Sequence, residues 1–188
     1  MSKFLDLDGL EYYTKQFKPG LANLIDNSEK NIFTTQSITE TIGDCTFTNN
    51  GDGSWTTTSS GAVADRRQKA LYFYIPNTVK SGKYVLSGCP EGGGSGDKTY
   101  YCLYVWDVTT NTRVSLNDIG EGLIFDWAPD YTHRYSVVID IRTGQNPNGL
   151  TFYPMICTLD DWNISQTYQP YNKNIATQDE IIDCFQTH

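Results

Sequence analysis

Along YYCLYVWD, residues 100–107, Tyr101, Leu103 and Val105 point to one side, and Tyr100, Cys102, Tyr104 and Trp106 to the other. That two-residue period is the mark of a strand. HRYSVVIDIR, residues 133–142, sets an apolar row of Tyr135, Val137, Ile139 and Ile141 against Arg134, Ser136, Asp140 and Arg142. It predicts a strand with one buried and one wetted face. ALYFYIP, GKYVLSG, EGLIFDW and GLTFYPMIC read as further strands. DCTFTNNGDGSWTTTSS reads as two strands joined by an Asn-Gly-Asp-Gly turn, which supplies the positive φ angles of a hairpin. EGGGSGD is expected to be a flexible loop between strands. Eight or more short strands with no helical period between them predict a mainly β chain, an antiparallel sandwich.

The two ends follow a different period. In FLDLDGLEYYTKQFK, residues 4–18, Asp8 and Glu11 form a capping box, and Leu7 and Tyr12 a hydrophobic staple. Leu10, Tyr13 and Phe17 recur at helical spacing, and Pro19-Gly20 stops the run. Near the other end, Thr177 and Glu180 make a second capping box before Ile181, Ile182 and Phe185. Both helices are shorter than the ~12–15 residues that hold a helix alone. Each therefore needs the sandwich, the other helix or another chain to dock on. The expected partition is a helical anchor and linker over 1–30, the sandwich over 31–172, and a short helix over 173–188.

The composition narrows the partners. Aromatic residues make up 13% of the 188 residues, charged residues 19%, and the net charge is −8. Such a chain does not seek phosphate backbones, so no nucleic acid is expected. No stretch nears the ~20 apolar residues of a membrane span, and no secretory signal is visible. Five widely spaced cysteines, Cys45, Cys89, Cys102, Cys157 and Cys184, read as reduced, buried thiols.

The polar motifs yield little chemistry. GGGSGDKT fails as a phosphate loop, because Asp97 separates Gly96 from Lys98 and a strand follows. NNGDGS and DLDG lack the spacing of a calcium loop and read as a turn and a helix cap. With only His133 and His188, and no paired cysteine motif, no metal site and no cofactor are expected. Glu121 and Asp126 do not stand out as a glycosidase pair, and Asp160-Asp161 reads as a solvated loop before the last strand. No catalytic residue is assigned.

The aromatic residues do stand out. Trp106, Tyr104 and Tyr100 share one face of one strand, while Trp55, Trp127 and Trp162 lie near turns. Sugar rings stack their C–H faces on aromatic planes, and nearby polar groups such as Asp140 and Arg142 would fix their orientation. Packing is the more common role for any single tryptophan, and Trp55 is expected to turn inward beside its hairpin.

FLDLDGLEYYTKQFK resembles the N-terminal segment of virion appendage proteins from phages and prophages of Gram-positive gut bacteria. FTNNGDGSWTTT, GKYVLSGCPEGGGSGDKTYYCLYVWD, GLTFYPMIC and YQPY resemble the jelly-roll modules of phage tail, baseplate and head-fibre proteins. Those modules are distantly similar to galactose-binding-like carbohydrate-binding modules. IATQDEIIDCF resembles the acidic helix that closes such proteins.

The resemblance implies a jelly-roll sandwich between two short helices and a non-enzymatic role in the virion, as a fibre or decoration. It implies a homo-oligomer, a trimer first, anchored to other virion proteins through Leu7, Leu10, Tyr13, Phe17, Ile181 and Phe185. Exposed modules of this kind imply adhesion to host-surface carbohydrate; the resemblance defines no sugar site, and the candidates for it are those the strand pattern offers, Trp106, Tyr104, Tyr100, Asp140 and Arg142. The alternatives are a capsid or tail component without ligand and a carbohydrate-binding module of a cell-surface system.

Overall fold

The computed structural model describes residues 39–75, 79–94 and 100–168. The two expected terminal helices, with Leu7, Leu10, Tyr13, Phe17, Ile181 and Phe185, lie outside the described residues, as do the boundaries at 30 and 172 and Cys184.

The described chain is mainly β and its paired strands are antiparallel. In chain order they are β1 (Thr39–Ile42), β2 (Cys45–Asn49), β3 (Trp55–Ser59), β4 (Arg67–Tyr74), β5 (Gly82–Ser87), β6 (Tyr101–Asp107), β7 (Thr112–Arg113), β8 (Leu123–Trp127), β9 (Arg134–Ile141), β10 (Thr151–Phe152) and β11 (Met155–Thr158). They form three sheets, ordered β1-β2-β3-β10, β11-β5-β8 and β4-β9-β6-β7. The hairpin expected at residues 44–60 is β2–β3, paired from Cys45 with Ser59 to Asn49 with Trp55. Its turn uses Gly51 and Gly53 at φ 87° and 86°. Asp52 closes it by accepting from the Ser54 N–H at 2.9 Å and the Ser54 hydroxyl at 2.6 Å.

One apolar core joins the three sheets. Phe47 and Trp55 enter it from the first, Tyr84, Leu86, Phe125, Trp127 and Ile156 from the second, and Leu71, Phe73, Leu103, Val105, Val137 and Ile139 from the third. The alternation read in the sequence therefore holds for the inward rows of β6 and β9. Trp127 packs edge-on against Tyr84 and Tyr135, at 5.4 and 5.2 Å between ring centroids. Lys69, buried in β4, meets Glu40 of β1 and lies 5.2 Å from the Trp55 ring centre, so charge as well as apolar contact ties the first sheet to the third.

Two expectations are corrected. GLTFYPMIC is not one strand. It breaks at Tyr153-Pro154 into β10, paired with β3, and β11, paired with β5. Proline donates no backbone hydrogen bond, which suits such a break. Gly88 seals the crossing. Its φ is +103°, and a Cβ there would stand 1.8 Å from the Tyr153 carbonyl oxygen, so only glycine fits.

Asp160-Asp161 is not a loop before a strand. The two residues open a short helix, α1 (Leu159–Ile164), and Thr158 caps it by accepting from the Asp161 N–H at 3.1 Å. Leu159 and Trp162 then cover Val85, Met155 and Cys157 on the outer side of the second sheet.

Candidate functional site

The outer face of the sheet β4-β9-β6-β7 gathers the sequence's candidates. Register places Tyr72 opposite Ser136, Ser136 opposite Trp106, and Trp106 opposite Arg113. The next row on the same face is Ala70, Val138 and Tyr104, and the one after it is Gln68, Asp140 and Cys102. Small side chains along the middle of this face leave a floor between Tyr72 and Trp106, which stand two strands, roughly 10 Å, apart. The result is an open depression of about 520 Å³, lined by Trp106, Tyr72, Tyr104, Arg66, Arg113 and Arg142 among others. That volume lies within the range of small-molecule sites.

Arginines cover the tyrosines. The guanidinium of Arg113 lies 4.3 Å from the Tyr104 ring centre, that of Arg134 4.0 Å from Tyr72, and that of Arg142 5.1 Å from Tyr100. Tyr104 and Tyr100 are each only 6% exposed. The Tyr104 hydroxyl accepts from Gln68 at 2.6 Å, and the Tyr100 hydroxyl accepts from Arg142 Nε at 2.7 Å. Burial, and secondarily the nearby Asp140, raises the Tyr104 phenol above its ordinary value. Trp106 is half-buried and meets Tyr104 edge-on at 6.3 Å. Of the three aromatics expected to form a platform, Trp106 keeps an accessible ring, and the two tyrosines are packed beneath cations.

Asp140 requires a correction. The sequence placed it on a wetted face, yet it is 1% exposed. Arg66 grips it with both ends of its fork, Nε to Oδ1 at 2.7 Å and Nη2 to Oδ2 at 2.6 Å. The hydrogen bond to Asp140 raises the Arg66 value further. Arg142 stands at 3.6 Å from the same carboxylate. The face is dry at this point because the long side chains of Arg66 and Arg142, just outside β4 and β9, fold over it, which period-two alternation cannot reveal. Asp140 is thus a buried anchor for Arg66, with the Arg142 charge close by. Burial chiefly, with Asp140 adding to it, pushes the neighbouring Cys102 thiol up to about 12.

The remaining candidates fall into structural places. Trp55 and Trp127 are buried in the core at 3% and 5% exposure, the former as expected. Trp162 packs on the second sheet and against Gly122, where a Cβ would meet its ring at 2.8 Å. Asp126 pairs with Lys83 at 3.1 Å on the surface, and Glu121 is exposed in the loop before β8. Cys45, Cys89, Cys102 and Cys157 are free and buried, as the cysteine spacing suggested.

Sequence reasoning missed Arg66, Gln68, Tyr72 and Arg113. The alternation of Gln68, Ala70 and Tyr72 in β4 was a usable signal. Nothing local marks Arg113, which sits in a strand of two residues. No family model matches this chain, and neither a curated protein nor a solved structure does.

Proposed function

We propose that this chain is a carbohydrate-binding β-sandwich of a phage virion, a non-enzymatic fibre or decoration protein that adheres to host-surface glycans. One observation carries the binding role: the accessible Trp106 ring stands across a small-residue floor from Tyr72, among hydrogen-bond donors of Arg66, Gln68, Arg113 and Arg142. An aromatic plane with a few fixed polar groups in a shallow site suits a sugar ring. A binding rather than catalytic role is supported by the state of Asp140, whose carboxylate is sealed by Arg66 and is not presented as an acid or base.

The strand order supports a jelly roll. β10 and β11 are separated by two residues while pairing with β3 and β5, which suits a layer made of the first two sheets facing β4-β9-β6-β7. The virion assignment and a trimeric, helix-anchored assembly rest on the resemblance of residues 4–18 and 175–185 to phage appendage proteins. Several copies would raise avidity for a weakly bound glycan without new contacts.

Glycan-array binding by the full chain, lost on Trp106→Ala with an unchanged melting profile, is the expected result. Assembly onto particles with no binding on a broad array would remove the adhesive role. Mass photometry of the full chain and of a chain starting at residue 31 tests the anchor, and two monomers would overturn it.

A further inference from the structure

Resting on the saccharide-binding reading above, we infer that the ligand is an acidic saccharide, its oxyanions received by Arg113, beside Trp106, and by Arg142, further along the same face, while a sugar ring lies on Trp106. The chain has 22 acidic against 14 basic side chains. The depression nevertheless is lined by Arg66, Arg113 and Arg142 and by no carboxylate among the described residues. Asp140, beneath them, is matched by Arg66.

The other two cations are held mainly by neutral acceptors. Arg142 Nε donates to the Tyr100 hydroxyl at 2.7 Å, and its distance of 3.6 Å from Asp140 is beyond hydrogen-bonding reach. Arg113 Nε donates to the Ser115 carbonyl at 2.7 Å, and its Nη2 to the Asn117 side chain. Neutral acceptors fix a guanidinium without cancelling its charge. Each guanidinium has five N–H donors and retains some for a ligand. The stacks on Tyr104 and Tyr100 hold both planes in place before any ligand arrives.

Like charges gathered in one depression repel one another, and an oxyanion relieves that repulsion as it binds. A neutral sugar would satisfy the Trp106 ring and leave three guanidiniums, Arg66, Arg113 and Arg142, over the single carboxylate of Asp140. The shared chemistry is a singly charged oxyanion on a saccharide. A uronate carboxylate and the phosphodiester of a sugar–phosphate polymer both supply it.

The test titrates the full, unmodified chain with four probes: an oligouronate, its carboxyl-reduced neutral counterpart, a sugar–phosphate polymer and polyglutamate. At low salt at least one acidic saccharide is expected to bind about tenfold or more tighter than the neutral one. That preference should shrink as salt is raised to about 0.5 M. The ranking of uronate against sugar phosphate identifies the source of the oxyanion. Arg113→Gln and Arg142→Gln should each lower the acidic-to-neutral affinity ratio. The probe comparison needs no variant, so a misfolded variant does not weaken it. Equal affinity for acidic and neutral saccharides would overturn the inference and leave saccharide binding standing. Polyglutamate binding as tightly as the acidic saccharides would overturn it too, because charge alone would then suffice. Binding of no saccharide at all would overturn both.

Discussion

β9 has two faces, and both are buried for different reasons. Inward, Tyr135, Val137, Ile139 and Ile141 are at most 2% exposed because other sheets lie over them. Outward, Ser136, Val138 and Asp140 are at most 6% exposed because side chains of β4 and β6, together with Arg66 and Arg142 just outside β4 and β9, fold across the sheet. The first kind of burial makes a core. The second makes the candidate site, since side chains that cover a face can also meet a ligand there. Low exposure alone therefore does not separate packing from function in this molecule.

Substitutions on the two faces should behave differently. The largest loss is expected inward: Ile139→Ala should cost about 3 kcal/mol, read by urea unfolding, through lost burial and the cavity left behind. Asp140→Ala comes next, at roughly 2–3 kcal/mol, below the figure for a fully buried pair because the Arg66 side chain is 38% exposed. A double-mutant cycle with Arg66→Ala should return a favourable coupling, and additivity would show that the ion pair contributes nothing.

Acid should have a smaller, distributed effect. Hydrogen bonds from the Ala64 N–H and from Arg67 hold Asp44 below its ordinary 3.8, and Ser54 and Thr132 do the same for Asp52 and Asp130. For Asp107, burial opposes the shift, and bonds from Thr110 and the His133 ring outweigh it. Groups lowered in the folded state supply stability above 3.8 that is lost as pH falls through their folded values. Asp118 runs the other way, because burial raises it despite backbone N–H bonds from Cys89, Gly120 and Gly122. With four lowered groups against one raised, the melting temperature should drop below about pH 4. A flat profile there would contradict these shifts. The smallest stability change is expected outward, within about 1 kcal/mol for Trp106→Ala, where glycan binding should nevertheless be lost. A large fall in stability would move Trp106 into the packing group.

The sequence carried the faces of the strands better than their environments. The split of Tyr101, Leu103 and Val105 from Cys102, Tyr104 and Trp106 was legible, because a strand's period is local. The hairpin at Gly51 and Gly53 was legible for the same reason. The coverage of Asp140 by Arg66 was not, because it joins residues 74 positions apart through the β4–β9 register. Arg113 escaped notice because β7 is too short to show a period. The break at Tyr153-Pro154 was visible as a proline inside a strand pattern, but its close packing on Gly88, far away in the chain, was not.

The rows across β4, β9, β6 and β7 have a consequence for how this surface can change. Positions 68, 72, 106 and 113 can each be replaced without altering a residue of the inward row, so the chemistry of the depression can be rewritten one letter at a time on an unchanged scaffold. A single inserted residue within β6 would be ruinous, since it exchanges the two rows on one side of the insertion and turns inward residues there outward. The surface is open to substitution and closed to insertion.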